Sequence, residues 1–399
     1  MAKEGVTAIP KLQELLRAPD TSVRVEAVKS IVEIAGAASI DPLIQATRDN
    51  DSEIQMRATD GLVNFYLPGY VLTGPAASIR RAGNTVKSKF TGTNDQLIES
   101  YVTVRPDVLQ ALGTLIRGGA SMEARANAAR AIGILRGNAA LPDLLDALRS
   151  KDSSVLYEAL IALQKLGDKS AAPKITFLLH DLDAKVRIAA IETSGILRNR
   201  AAVPELKDLL KRSRDNKIGR AALTALAMLS DPGSREIYAT YLHDRDEHLR
   251  AAAAEGFARL RDPADIPTLE KAYEEESKNT ARISLAFALV MNGKTAVSQF
   301  SPLLYLINNL NSVSYRGEAF PLLLEAARLP AVRDELYGPL DRGTRDEKIQ
   351  LAKVLAASGD KNTVTHLEKV SRDSDGQVAE EGLRALRSLK ARLEKSTSS

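Results

Sequence analysis

The sequence predicts an all-α fold, a right-handed α-α superhelix made of about eleven two-helix repeats. Three observations carry this expectation. The first is periodicity. Leu135, Leu166, Leu197, Leu229 and Leu260 recur at steps of 31 or 32 residues, and Ala128, Ala159, Ala190, Ala222 and Ala253 keep the same step. A fixed period of that size marks a stacked repeat. The second is proline placement. Pro142, Pro173 and Pro204, with Pro267 two periods on, and the pair Pro10 and Pro42, each fall where a helix opens and a missing N–H costs nothing. The third is composition. At 399 residues the chain is too long for one compact core. It is 44% hydrophobic and 27% charged with only 4% aromatics and no Trp, which favours close-packed helices over sheets.

Units are expected to begin near residues 7, 38, 106, 138, 169, 200, 232, 262, 295, 330 and 360. Residues 1–67 hold the first two repeats. Their first helix starts almost at once, with Ile9 and Leu12 needing cover, so either upstream residues are missing or something pairs there. Residues 68–105 break the array with Pro68-Gly69, Gly74-Pro75 and Thr91-Gly92-Thr93-Asn94. Residues 106–293 are the regular part, repeats three to eight. One unit shows the pattern: a first helix over 172–180 with Pro173 in its first turn, a turn at Asp181-Leu182-Asp183, then a second helix over 184–197. In that second helix Val186, Ala189, Ala190, Thr193 and Leu197 fall at spacings of three and four, one helical face. Residues 294–399 hold two degenerate repeats that lose the alanine column, an eleventh repeat, and a charged terminal helix near 377–395 that reads as a polar cap.

The pairs Asp20/Arg24, Asp183/Arg187 and Asp246/Arg250 recur at the start of the second helix. The Asp is expected to cap that helix, and the Arg to reach the turn of the adjoining repeat as a structural ladder. The segment Asp183-Ala184-Lys185-Val186-Arg187-Ile188-Ala189-Ala190 resembles HEAT repeats, most of all the short bacterial variety named after phycobilisome lyases. The resemblance extends from about residue 6 to 394 and is specific for fold. For function it implies little, because such repeats serve scaffolds, adaptors and a few enzymes.

Two surfaces stand out. In HEAT solenoids the second helices line the concave face, and one outward column there reads Val25, Met56, Ala126, Tyr157, Ile188, Arg220, Ala251 and Ile283. The neighbouring column reads Lys29, Asp60, Arg130, Ile161, Glu192, Thr224, Glu255 and Phe287. Met56, Tyr157, Ile161, Ile188 and Arg220 are the expected partner-binding residues, since an exposed apolar patch marks an interaction site. The second surface is the insert, where Arg80, Arg81, Lys87, Lys89 and Arg105 oppose only Asp95 and Glu99. Arg80, Arg81, Lys87 and Lys89 are its candidate contacts to an acidic partner, a phosphate-bearing ligand or an anionic surface, on a short amphipathic helix over 78–90. That patch is too small to favour nucleic acid.

Recognisable catalytic chemistry is sparse. There is no Cys, which removes thiolate zinc sites, cysteine nucleophiles and disulfides. His180 and His243 occupy equivalent slots two repeats apart, roughly 20 Å at ~10 Å per layer, too far to share a metal. The residues around His243 and His248 straddle a turn where acids serve as caps. No His-Glu dipeptide supports a di-iron centre of the HEAT-like kind, and no Trp supports a HEAT-like DNA glycosylase. The expectation is therefore a non-catalytic scaffold, not an enzyme, with no cofactor and no metal, binding a protein or peptide along the concave face. The alternatives are a lyase-like enzyme or enzyme accessory, and a binder of nucleic acid or an anionic surface through the insert. No apolar stretch reaches the ~20 residues of a membrane span, and no export signal opens the chain. A cytoplasmic protein is the default expectation, an exported one with its signal removed the alternative.

Overall fold

A computed structural model describes residues 2–71, 96–213 and 215–397. The chain divides into two compact units, Met1–Ala201 and Ala202–Ser399. Unit one holds α1 (Ile9–Leu15), α2 (Thr21–Ile34), α3 (Ile40–Ala46), α4 (Ser52–Tyr66), α5 (Pro106–Gly118), α6 (Met122–Ile134), α7 (Leu141–Ala147), α8 (Ser153–Leu166) and α9 (Ala184–Ile196). Unit two holds α10 (Val203–Arg212), α11 (Asn216–Leu229), α12 (Arg235–Tyr241), α13 (Glu247–Leu260), α14 (Ile266–Glu275), α15 (Asn279–Met291), α16 (Pro302–Asn309), α17 (Arg316–Ala326), α18 (Pro330–Arg342), α19 (Arg345–Ser358), α20 (Lys361–Val370) and α21 (Gly376–Thr397). Successive helices pair as a first and a second member, and no strand occurs among the described residues. The all-α repeat class expected from the periodicity is the observed one.

The second helices start and stop by one rule. Asp20, Asp51, Asp152, Asp183, Asp215 and Asp246 each occupy the N-cap and accept a backbone N–H from the first turn. Ser121 does the same for α6. At the other end a residue in the left-handed conformation stops the helix: Ala35, Arg136, Gly167, Arg198, Ser230 and Arg261. The leucine column of the sequence stands immediately before five of these stops, so it marks where each second helix ends. The alanine column is the contact. Ala128, Ala159, Ala190, Ala222 and Ala253 are all completely buried, and a methyl at that point lets helices approach to the short end of the ~8–10 Å range. Gly133 serves the same end, since a Cβ there would lie 2.8 Å from the Ala162 backbone. In the later repeats of unit two the equivalent seventh residue is Leu285, Leu322 and Leu351, all buried. The column persists there with a larger side chain.

The Asp caps form as expected; of the three paired arginines, Arg24 and Arg250 reach the adjoining repeat, while Arg187 bonds only within its own. Arg24, Arg187 and Arg250 each donate to the carbonyl six residues earlier, at the end of the preceding helix. Arg125, Arg282 and Arg316 repeat the contact. Arg24 also grips Asp49 of the next repeat at 2.8 and 3.1 Å, and Arg250 grips Glu276 at 2.7 and 2.9 Å. These bidentate pairs tie adjacent repeats together.

One expected helix is different. Residues 172–180 form no α-helix; the backbone runs as two 3₁₀ stretches, Lys169–Lys174 and Thr176–His180. Pro173 lies inside the first stretch instead of opening an α-helix. Its missing N–H removes a rung, and the bonds Ile175 N–H to Ala172 and Leu178 N–H to Ile175 close tighter three-residue turns. At the N-terminal side, Ile9 and Leu12 are buried, with α1 packed on α2. No helix among the described residues is long and apolar enough to cross a membrane.

Candidate interaction face of unit one

The second helices of unit one, α2, α4, α6, α8 and α9, pack in succession, and more closely than the first helices do. They form the inner layer of the unit, and the unit-one members of both columns lie on it; in unit two Ala251, Ile283 and Phe287, expected to face outward, are buried. Met56, Tyr157 and Ile188 are half-buried there. Ile161, expected at the surface, is only 5% exposed, because α8 is clasped between α6 and α9. Arg220 lies in unit two, where its guanidinium donates to Asp246 at 2.8 and 2.5 Å and serves as a rung of the ladder. Arg80, Arg81, Lys87 and Lys89, with the amphipathic helix expected over 78–90, lie outside the described residues. Arg105 is described, and it is bound to Asp41 and Asp107.

What the column reading missed is the polar network it runs through. Arg130, only 8% exposed, donates to both Glu158 carboxylate oxygens at 3.2 and 2.7 Å. Its third donor meets the Asn127 side-chain oxygen at 3.2 Å, and Asn127 in turn donates to Asp60 at 2.9 Å. Three helices, α4, α6 and α8, are thereby joined by four side chains. Tyr70 completes the group: just beyond α4 the chain turns so that its phenol lies in the field of Asp60, Arg130 and Glu158. Burial, then the Asp60 charge, pushes the Tyr70 phenol well above its ordinary range, against the pull of Arg130. The Val71 N–H, donating to Asn64 at 2.9 Å, fixes that turn. The cluster carries two carboxylates against one guanidinium. A signal was present in the sequence, since Asn127 and Arg130 interrupt a run of alanines on a buried helix, but the partner Glu158 is 28 residues away.

One turn beyond that layer, Gln164 donates to Thr193 at 2.9 Å, joining α8 to α9. Glu192 reaches water at one edge of α9, while the protein packed around the rest of the side chain raises its carboxyl above the ordinary range. On the opposite side of unit one a polar cavity of about 800 Å³ opens between α3 and α5, lined by Asp49, Asn50, Asp107, Gln110 and Thr114 among others.

Unit two has a comparable buried knot. Arg259 donates to Glu325 at 2.7 Å and to Glu255 at 2.9 Å, with Ser284 on Glu255 and the Phe287 ring 5.5 Å away. The acids near His243 and His248 act as caps: Asp244 accepts from the Asp246 N–H and Asp246 from the His248 N–H. Among the described residues no group of three His, Asp or Glu side chains could hold a metal.

Comparison with known proteins adds to this geometry. The chain is 31% identical over 137 residues to the bilin biosynthesis protein PecE of Mastigocladus laminosus, a match covering 34% of this chain and 51% of that protein. The chain thus spans about half the length of the curated relative it matches. The expectation that the chain is not an enzyme does not survive this likeness, since the relative is named for a biosynthetic role. Among solved structures, the CpcE–CpcF complex of phycocyanin lyase from Nostoc sp. PCC7120 aligns at 19% identity and a TM-score of 0.40, covering 65% of this chain and 90% of that one. Importin beta aligns at 14% identity and a TM-score of 0.40, covering 96% and 56%. The family model for HEAT repeats matches residues 7–71, 107–195, 175–237 and 203–290, most of the chain. With its capped helix pairs, alanine contacts and arginine ladder, the chain belongs to the HEAT-repeat family.

Proposed function

We propose that the chain is a component of, or accessory to, a lyase-like enzyme that handles a bilin, and that it receives the bilin or its carrier protein on the inner layer of unit one. The observation that carries this reading is the 31% identity to a bilin biosynthesis protein. The chemistry of the face agrees with it. A bilin is a flat, conjugated, linear tetrapyrrole with pyrrole N–H donors. Tyr157, Met56 and Ile188 are half-buried apolar contacts for such a ring system. Asp60 and Glu158 outnumber Arg130, which gives the face a net negative charge toward N–H donors. The polar network is held by three helices, so its groups stay in place without reorganisation when a ligand arrives. A protein partner on the same face would use the same apolar anchors, with the charged groups as rim.

The test is a titration of the purified full chain with biliverdin, followed by visible circular dichroism. A bilin fixed in a chiral site gains an induced signal that saturates. A free bilin spectrum at every protein concentration, in both the chain alone and its mixture with a bilin-carrying protein, would overturn the reading.

A further inference from the structure

Three arginines meet at one corner of unit two. Arg333 lies in α18, Arg392 in α21, and Arg328 in the turn between α17 and α18. Arg333 is 8% exposed; its Nη2 donates to Asp360, and its buried Nε has no acceptor. Arg392 lies across the C-terminal end of α19, donating its Nε to the Ala356 carbonyl at 3.4 Å and its Nη2 to the Gly359 carbonyl. Both guanidiniums therefore converge on Gly359-Asp360. Arg328 is exposed at the same corner.

The charges do not balance. The charged groups acting on Arg392 are Arg328, Arg333 and Asp360, so three cations share one carboxylate. That carboxylate is already engaged, because Asp360 also caps α20 through the N–H groups of Asn362 and Thr363. Burial, and then repulsion from Arg328 and Arg333, hold Arg392 below the ordinary range of a guanidinium. Arg24 and Arg250, by contrast, each pair with one acid of the next repeat, Asp49 and Glu276. Asp360 and the last carbonyls of α19 answer Arg333 and Arg392 only in part, so the corner is left net positive.

We propose that Arg328, Arg333 and Arg392 form a binding site for an oxyanion group, a phosphate or a carboxylate. Arg328 and Arg392 contact the anion from the solvent side. Arg333 backs it with a charge that Asp360 only partly neutralises. The planar guanidinium fork suits both ligand groups, since each offers paired oxygens.

Calorimetric titration of the full chain with inorganic phosphate and with succinate, at ionic strength held constant with sodium chloride, tests the site. One-site binding of at least one anion is expected, and the stronger of the two names the source: phosphate for a phosphate ester, succinate for a carboxylate ligand. Arg328→Gln, an exposed turn substitution that leaves the fold alone, should weaken binding at least several-fold. Arg328→Gln with Arg392→Gln should weaken it tenfold or more. Asp360→Asn keeps the cap and removes the competing charge, so it should tighten binding several-fold. No heat with either anion, binding undiminished in Arg328→Gln, or weaker binding in folded Asp360→Asn would each overturn the proposal.

Discussion

Arg130 and Glu158 show what a single buried pair does here. Their side chains are 9% and 4% exposed, so neither charge can be left alone. Glu158→Gln should cost about 3–5 kcal/mol, because it strands a guanidinium in the helix layer. Arg130→Met with Glu158→Leu should cost clearly less, since both charges leave together. Urea unfolding followed by helical circular dichroism separates the two; equal losses would mean that the pair is not buried as described. Gly256 makes a steric point at the same scale. A Cβ there would sit 2.6 Å from the Tyr238 ring, and Tyr238 is fully buried against Phe257. Gly256→Ala should therefore destabilise unit two by roughly 1–3 kcal/mol through overpacking, which the same urea titration reads. Burial also pushes the Tyr238 phenol up to about 12.

The helix is the scale at which the sequence was most legible. Its repeats placed the helix pairs because each second helix needs a cap, a small contact residue and a stop, and each recurs every 31 or 32 residues. Asp183→Ala removes a carboxylate that accepts from the N–H groups of Lys185 and Val186, and should cost about 1 kcal/mol. The caps also predict a pH dependence. The Asp20 carboxyl lies below its ordinary range because the Ser22 hydroxyl and N–H donate to it. At Asp183 and Asp246 burial acts to raise the carboxyl, but their hydrogen bonds, with the Arg220 guanidinium at Asp246, outweigh it. A folded value depressed below the unfolded one gives stability that is complete above the unfolded value, about 3.9, and lost as pH falls through the folded one. Melting temperature should accordingly be level from neutral pH down to about 5 and fall below about 4; a chain whose melting point rises on acidification would contradict this. The helix expected over 172–180 failed because proline position was read as an opening signal alone. Whether Pro173 opens an α-helix or falls inside a 3₁₀ turn depends on how the flanking turns pack, and that is not written in a local pattern.

At the scale of the molecule, the family and the fold were legible and the site was not. Periodicity reports the contacts each repeat makes with the next, and those contacts are the fold. The polar network reports instead on which side chains meet across the layer: Arg130 shares its repeat position with Asp60, Asn127 shares its own with Glu158, and the bonds run between different helices. Reading Ile161 and Arg220 as surface anchors took the column positions as equivalent. One is clasped between helices and the other is a ladder rung. Tyr70 was not singled out, because its place over Arg130 follows from a turn after α4 that has no counterpart in the other repeats.

The central claim is that the inner layer of unit one is the surface on which a bilin or its carrier is received. The most direct measurement is the induced visible circular dichroism of biliverdin bound by the full chain, compared with a Tyr157→Ala, Ile188→Ser variant. Both side chains are half-buried at the surface of that layer, so the variant should keep its helical signal and cooperative melting while the induced signal falls at least tenfold at equal concentrations. An induced signal unchanged in a variant that remains folded would contradict the claim and move the site elsewhere on the chain.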